Sequence, residues 1–277
     1  MTLPADDHVH SEWSWDALAG SMERTCERAV EIGLPSVAFT EHADFTPWTL
    51  REDTPIPDAW QVLVSDQVLT APEIDLDGYQ ESLRRCRDRF KGLRILSGVE
   101  LSEPHRHGPR AGELLARGRF DRVLGSVHSL SIEGGFAEIA DLYPVRAAAA
   151  VVRAYLAEAG RMVEEFGDFE VLAHIDYPVR YWPAGAGPFD PAAFEDDYRA
   201  VLRALARSGR ALEVNTRVPL HPQIVRWWFQ EGGPAITFAS DAHDPFSLAH
   251  GFAEATAMAG SCGFRPGAHP DDFWTRR

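Results

Sequence analysis

The sequence predicts a single-domain α/β fold, either a barrel or an open parallel sheet. Three observations carry this expectation. Short apolar runs recur along the 277 residues, and they are continuous rather than alternating, as in strands buried on both faces. Helical stretches separate them, so β and α alternate about seven times. Each run also ends in residues of metal-ligand type.

Strands are read at DDHVH (6–10), PSVAFTEHAD (35–44), LRILSGVEL (93–101), RVLGSVHSL (122–130), FEVLAHIDY (169–177), RALEVNTR (210–217) and AITFASDAH (235–243). Helices are expected over 17–33, 77–91, 145–166, 191–208, 221–231 and 246–259. Pro144 and Pro191 stand near two helix starts, where proline is tolerated. Gly33, Gly92, Gly167 and Gly209 stand where C-caps fall. Residues 45–76 break the rhythm: they are rich in Pro, Asp and Thr and have no clear period. A long irregular insert directly after a histidine-bearing strand end is expected to act as an active-site lid. The whole of 1–277 is expected to form one domain around it.

Apolar residues make up 45% of the chain, enough for a substantial core. The formal net charge of −15 disfavours nucleic acid and anionic membrane surfaces as partners. Small anionic substrates stay open, because bound cations reverse the sign locally. No apolar segment approaches the ~20 residues of a membrane span. MTLPADDHVH lacks a basic stretch followed by an apolar run, so no secretory leader is expected. Cys26, Cys86 and Cys262 are far apart and form no CxxC pair. That argues against a disulfide framework or a thiolate zinc site and fits a reducing cytoplasm.

The coordinating residues at strand ends are Asp6, His8 and His10; Glu41 and His42; Glu100; His128; His174 and Asp176; Glu213 and Asn215; Asp241 and His243. Barrel enzymes build their sites at the C-terminal ends of strands, so these scattered residues are expected to converge. Residues i, i+2 and i+4 of a strand share a face, which would project Asp6, His8 and His10 together. Taken singly, each histidine reads as a hydrogen-bonded core or surface residue. Taken jointly, so many imidazoles with carboxylates exceed one closed structural site. They point to two or three divalent ions sharing a bridging carboxylate. His105 and His107 are read as loop residues near the site. His221, His250 and His269 are read in solvent or capping roles. Trp13, Trp15, Trp227 and Trp228 are read as packing, with the first two alternatively walling a substrate pocket.

With these residues in view, the chain resembles the PHP (polymerase and histidinol phosphatase) superfamily, and most of all its histidinol-phosphatase branch. The matching segments are DDHVHS, FTEHAD, GVELSEP with GSVHSL, and HIDYP with ASDAHDP, running from residue 6 to about residue 250. The resemblance implies a distorted (β/α)7 barrel and three divalent metals, variously zinc, iron or manganese. It assigns His8, His10, Glu100 and Asp241 to the first metal. Glu100 would bridge to a second, held also by His128 and His174. The third would be held by His42, His243 and Asp16, where many relatives have histidine. A carboxylate there would move the preference toward manganese or iron. Asp6 would orient an imidazole from outside.

The resemblance implies a phosphomonoester hydrolase, with L-histidinol phosphate as the leading substrate. A nucleotide or sugar phosphate is the alternative within the fold, and a non-catalytic metal-binding module is the alternative outside it. Hydrolysis must stabilise charge on phosphoryl oxygens, and a planar guanidinium suits that task. Arg180 is the first candidate clamp and Arg217 the second. Asp176 or His243 is expected to protonate the leaving oxygen. Glu103 and the 45–76 insert are expected to meet the substrate's ammonium. GxxxxGK, GxGxxG and GxSxG motifs are all missing from the chain, which excludes the readings that depend on them.

Overall fold

The computed structural model describes residues 3–277. All seven expected strands form. They are β1 (Asp6–Val9), β2 (Ser36–Asp44), β3 (Arg94–Ser102), β4 (Arg122–Ser126), β5 (Val171–Leu172), β6 (Ala211–Asn215) and β7 (Ala235–Ala239). They lie side by side in chain order and are all parallel. The longest seam pairs β2 with β3 from Ser36↔Arg94 to Asp44↔Ser102, which sets His42 beside Glu100.

The sheet then closes on itself. Val9 bridges Ala242 in parallel. The His10 N–H donates to the Ala242 carbonyl at 2.8 Å, and the Asp241 N–H donates to the His8 carbonyl at 2.9 Å. The result is a seven-stranded barrel, and the closing seam lies at the strand ends that carry the histidines. Asp241 takes a left-handed backbone with φ +54 at this seam, a conformation Asp tolerates better than bulky residues.

Helices wrap the outside because each turns one apolar stripe to the sheet. They are α1 (Met22–Ile32), α2 (Leu76–Arg89), α3 (Gly108–Gly118), α4 (Ala148–Glu165), α5 (Glu195–Ser208), α6 (Pro222–Gln230) and α7 (Phe252–Ser261). In α4 the buried set Val151, Val152, Tyr155, Leu156, Ala159, Met162 and Val163 follows the helical period. Trp227 and Trp228 of α6 are buried core residues, as expected. His221 caps α6 by accepting from the Gln223 N–H.

The structure corrects several expectations. Gly33 (φ +71) and Gly209 (φ +75) close α1 and α5, but Phe90 and Phe166, not Gly92 and Gly167, end α2 and α4. Helix α3 was not anticipated, because its sequence GPRAGELLARG holds three glycines and a proline that weaken the helical signal. The run read as one strand over 122–130 stops at Ser126 and restarts as a hairpin, Ser129–Ile132 with Gly135–Glu138. The insert is not irregular throughout. Trp48–Thr49, Val64–Ser65 and Val68–Leu69 form a small antiparallel sheet, and residues 58–63 form a 3-10 turn. Strands of two residues are too short to show a period. Beyond α7, Trp274–Arg276 pairs antiparallel with the start of β7, at the end of the barrel away from the histidines.

Candidate metal centre

Strand β1 delivers its histidines through an irregularity. Asp6 pairs with Val37 but Val9 with Phe39, so β1 spends one more residue than its neighbour. A bulge re-aims side chains, and here it separates Asp6 from His8. Asp6 accepts from the Ser240 N–H at 3.0 Å, the Ser240 hydroxyl at 2.5 Å and the Ala249 N–H at 3.0 Å. The expectation that Asp6 orients an imidazole is therefore corrected: it fastens β1 to the end of β7. Burial pushes its carboxyl up to about 7 despite these donors.

Glu100, on β3, is the hub. Its Oε1 lies 2.7 Å from His174 Nε2 and 3.2 Å from His128 Nε2. Its Oε2 lies 3.1 Å from His8 Nε2, 3.1 Å from His42 Nδ1 and 3.5 Å from His10 Nε2. Asp241 Oδ1 approaches His10 Nε2 at 3.5 Å and His8 Nε2 at 4.0 Å. Asp16 Oδ2 lies 3.3 Å from His42 Nε2 and 3.1 Å from His243 Nε2. The residues expected as donors thus come together from the first loop and six of the seven strand ends. One grouping was not foreseen: His10 stacks on His42 with ring centroids 4.1 Å apart. Donor atoms of His10, His42 and His243 all fall within 4.8 Å of one another.

Outer partners settle the hydrogens. His8 Nδ1 donates to Glu213 Oε2 at 2.7 Å. His10 Nδ1 donates to the Ser14 hydroxyl at 3.0 Å, which donates in turn to Glu41 Oε2 at 2.6 Å. His8 Nε2 and His10 Nε2 stand 3.0 Å apart, both on the Glu100 side of the cluster. His128 Nδ1 faces Asp44 Oδ1 at 3.1 Å. Asp16 Oδ1, His42 Nδ1 and His174 Nδ1 are buried without a hydrogen-bond partner among the described residues. Facing ring nitrogens, buried polar atoms without an aligned hydrogen bond and one carboxylate ringed by imidazoles suit divalent cations.

The electrostatics agree. Burial disfavours the charged form of His8, but Glu213, Glu100 and Asp241 overcome it and hold its pKa well above the usual imidazole value. Burial and the neighbouring His42 and His243 hold His10 well below it. Burial opposes ionisation of Glu100 too, yet the surrounding imidazoles keep its carboxyl well below the usual range. The carboxylates thus favour positive charge on His8, while the crowded imidazoles disfavour it on His10.

A cavity of about 370 Å³ opens onto the cluster. Arg180 and Arg217 both line it. Arg180 pairs with Asp241 Oδ2, and Arg217 Nη1 lies 3.4 Å from Asp241 Oδ1 and 3.1 Å from His243 Nδ1. The insert supplies a wall that includes Trp48, Leu50, Ile56 and Trp60, and Trp15 joins it. Trp13 does not; its ring packs against Gly78.

Two expected site residues lie elsewhere. Glu103 does not face the cavity. Its Oε1 accepts from the backbone N–H groups of His128 and Ser129 at 2.6 and 2.8 Å, and its Oε2 accepts from Thr46 at 2.8 Å. It fixes the loop that presents His128, so its proposed contact with an ammonium is withdrawn. Asp176 is buried beyond the cavity lining, where burial lifts its carboxyl to about 7 against the pull of Arg180. Of the two expected proton donors, only His243 lines the cavity. His105 and His107 bond Glu158 and Thr46, outside the cavity lining. Asp44, Ser14 and Glu138 were missed, because nothing in a linear pattern reveals a hydrogen bond across strands.

Fold and site together define an α/β barrel whose strand ends pool imidazole and carboxylate donors able to hold divalent cations beside two guanidinium groups. The chain belongs to the PHP domain family, whose model matches residues 6–217. It is 28% identical over 249 residues to the histidinol-phosphatase of Lactococcus lactis subsp. lactis (strain IL1403), covering 86% of this chain and 83% of that one. Its fold matches the crystal structure of the histidinol phosphate phosphatase of Lactococcus lactis subsp. lactis Il1403 with a TM-score of 0.77 at 23% identity, over 95% of this chain and 94% of that one. That structure was solved with zinc, L-histidinol and phosphate. A Listeria monocytogenes structure matches with a TM-score of 0.74 at 19% identity, over 90% of this chain and 99% of that one.

Proposed function

We propose that this chain is a metal-dependent phosphatase that hydrolyses L-histidinol phosphate to L-histidinol and phosphate. The observation that carries the reading is the junction at Asp241. Its Oδ1 faces the imidazole cluster while its Oδ2 takes Arg180, so cation donors and anion-binding guanidinium share one residue. The relatives named above support the substrate, and the length over which they align supports reading 1–277 as one unit.

His8, His10, Glu100 and Asp241 would hold one ion, Glu100, His128 and His174 a second, and His42, His243 and Asp16 a third. Zinc, manganese or iron bound there would polarise a phosphoryl oxygen and lower the pKa of water toward ~7. The chain's own residues do the rest. Arg180 and Arg217 bring fixed positive charge to the cavity wall and oppose negative charge growing on phosphoryl oxygens. The insert excludes water from the cavity's outer side and acts as a lid. His243 reaches the cavity with Nε2 toward Asp16 and Nδ1 3.0 Å from the Asp241 carbonyl, so its ring serves as a ligand to the cation rather than as the source of the leaving-group proton.

No helix among the described residues is long and apolar enough to cross a membrane. The unpaired state of all three cysteines supports placement in the cytoplasm, and the acidic charge supports a small substrate over a nucleic acid. The test is a panel of phosphomonoesters with released phosphate as the readout. L-histidinol phosphate is expected to rank first by kcat/KM. A nucleotide or sugar phosphate ranking first would transfer the reading to that substrate, and protein unable to turn over any of them with metal supplied would reject catalysis.

A further inference from the structure

The cluster accounts for the phosphate half of a substrate, yet the cavity extends well past it. Its far side carries two carboxylates that no expectation had singled out, Glu138 and Asp141. Glu138 sits at the end of the hairpin strand Gly135–Glu138 and caps the short helix Ile139–Leu142. Its Oε2 accepts from the Ala140 N–H at 2.6 Å and its Oε1 from the Tyr177 hydroxyl at 3.0 Å. Asp141 Oδ1 accepts from the Thr54 hydroxyl of the insert at 2.8 Å. All of these donors are neutral. Burial pushes the Glu138 carboxyl up to about 7. Neither carboxylate forms an ion pair with a cationic side chain among the described residues, so each is free to take an ammonium, and a bound ammonium would hold Glu138 ionised.

Tyr177 gives the spacing. Its ring lies 4.9 Å from the His174 ring and 5.1 Å from the His128 ring, centroid to centroid, while its hydroxyl reaches Glu138. One tyrosine side chain thus spans the gap between cluster and carboxylate. That is the scale of an amino alcohol esterified to phosphate. On the insert side, Trp15, Trp48 and Trp60 meet at ring-centroid distances of 5.8 and 4.8 Å from Trp15. All three line the cavity. Trp60 Nε1 is buried there without a partner among the described residues. Aromatic faces stack on a flat ring and attract a cation.

We propose that Glu138 and Asp141 are specificity-determining residues that select phosphomonoesters bearing a protonated amine, with the three tryptophans receiving the substrate's ring. This rests on the phosphatase reading above and adds to it the chemistry by which the organic half is chosen. The same charge pattern works against substrates with a second phosphate or a carboxylate, since like charges placed together in a confined cavity repel.

Two substrate pairs test it: L-histidinol phosphate against phenyl phosphate, and 3-aminopropyl phosphate against propyl phosphate. The second pair differs only in the ammonium, so it tests the subsite whether or not histidinol phosphate is the substrate. The kcat/KM ratio of charged to neutral member is expected to fall at least tenfold in Glu138→Gln and in Asp141→Asn, chiefly through KM. Asp141→Asn guards against loss of the Glu138 cap, and thermal unfolding of each variant checks the fold. Calorimetry with L-histidinol alone should show weaker binding to both variants. Ratios that stay at the wild-type value, or both members falling in proportion, would overturn the proposal. A wild-type preference for the amine in the second pair, with no preference in the first, would instead count against the histidinol phosphate assignment alone.

Discussion

Glu213 Oε2 receives the Nδ1 proton of His8 at 2.7 Å, and Glu213 Oε1 receives the His174 backbone N–H at 2.9 Å. One buried carboxylate on β6 thus positions an imidazole of β1 and the backbone of the segment after β5. Loss of such an outer partner weakens metal affinity by ~10–100-fold. Glu213→Gln is expected to lower affinity by that order, with activity recovering as metal is added in excess. A metal titration of activity measures it; coincident curves for variant and wild type would show that His8 holds its orientation without Glu213.

Arg180 stacks over Tyr177, 4.8 Å from the ring centroid, as well as pairing with Asp241. Its removal strips one fixed charge from the cavity wall. Arg180→Ala should lower kcat/KM by on the order of 100-fold. Arg180→Lys should recover only part, because an ammonium is a point charge without the planar fork. Unchanged kcat/KM in the alanine variant would remove Arg180 from the mechanism.

Chelation gives a prediction with a definite pH direction. Burial disfavours the charged His128, but Glu100 and Asp44 outweigh it and raise its pKa to about 10. In metal-free protein the folded state therefore holds a proton that the unfolded chain releases near pH 6.5. This stabilisation is fully present below about pH 6.5 and is lost as pH rises toward 10. Bound metal displaces that proton, so affinity should rise with pH over the same window. Thermal melts of stripped and loaded protein should diverge increasingly from pH 6.5 to higher pH. Parallel curves would contradict the linkage. Stripped protein should also lose phosphatase activity and regain it when zinc, manganese or iron is restored.

Gly98 lies on β3 two residues before Glu100. Its N–H donates to the Tyr79 hydroxyl at 2.7 Å, and an added Cβ would meet Thr40 Cγ2 at 2.5 Å and Arg122 Cβ at 3.2 Å. Gly98→Ala overpacks a seam that cannot spread without moving Glu100, and should cost about 1–3 kcal/mol. Chemical denaturation reads this directly. A loss near zero would mean that the β2–β3 seam yields locally.

The insert makes a fifth prediction. Residues 51–59 are exposed or partly exposed, while Thr54 bonds Asp141 and Trp60 lines the cavity. L-histidinol with phosphate should slow proteolytic cleavage between 51 and 59. Cleavage that leaves activity intact and ignores ligand would reject the lid.

The sequence by itself determined seven apolar runs alternating with helices, hence a parallel α/β fold left open between a barrel and an open sheet, and the metal-ligand residue types at the run ends. Continuous apolar runs and strand-end chemistry are local signals, and each survives in a one-dimensional reading. Family resemblance already grouped the donors; the tertiary structure decided which hydrogen-bond partner holds each of them. Asp6 opens β1 two residues before His8, yet it bonds Ser240, while Glu213 of distant β6 takes the His8 Nδ1 proton; a register irregularity in β1 lies between Asp6 and Val9. Glu103 follows a site strand in sequence but spends its carboxylate on backbone amides. Glu138 and Asp141 carry no motif; they enter the cavity because a hairpin folds back over the barrel mouth. Hydrogen bonds and bulges are settled by contacts between segments distant in the chain, and no residue pattern within one segment records them.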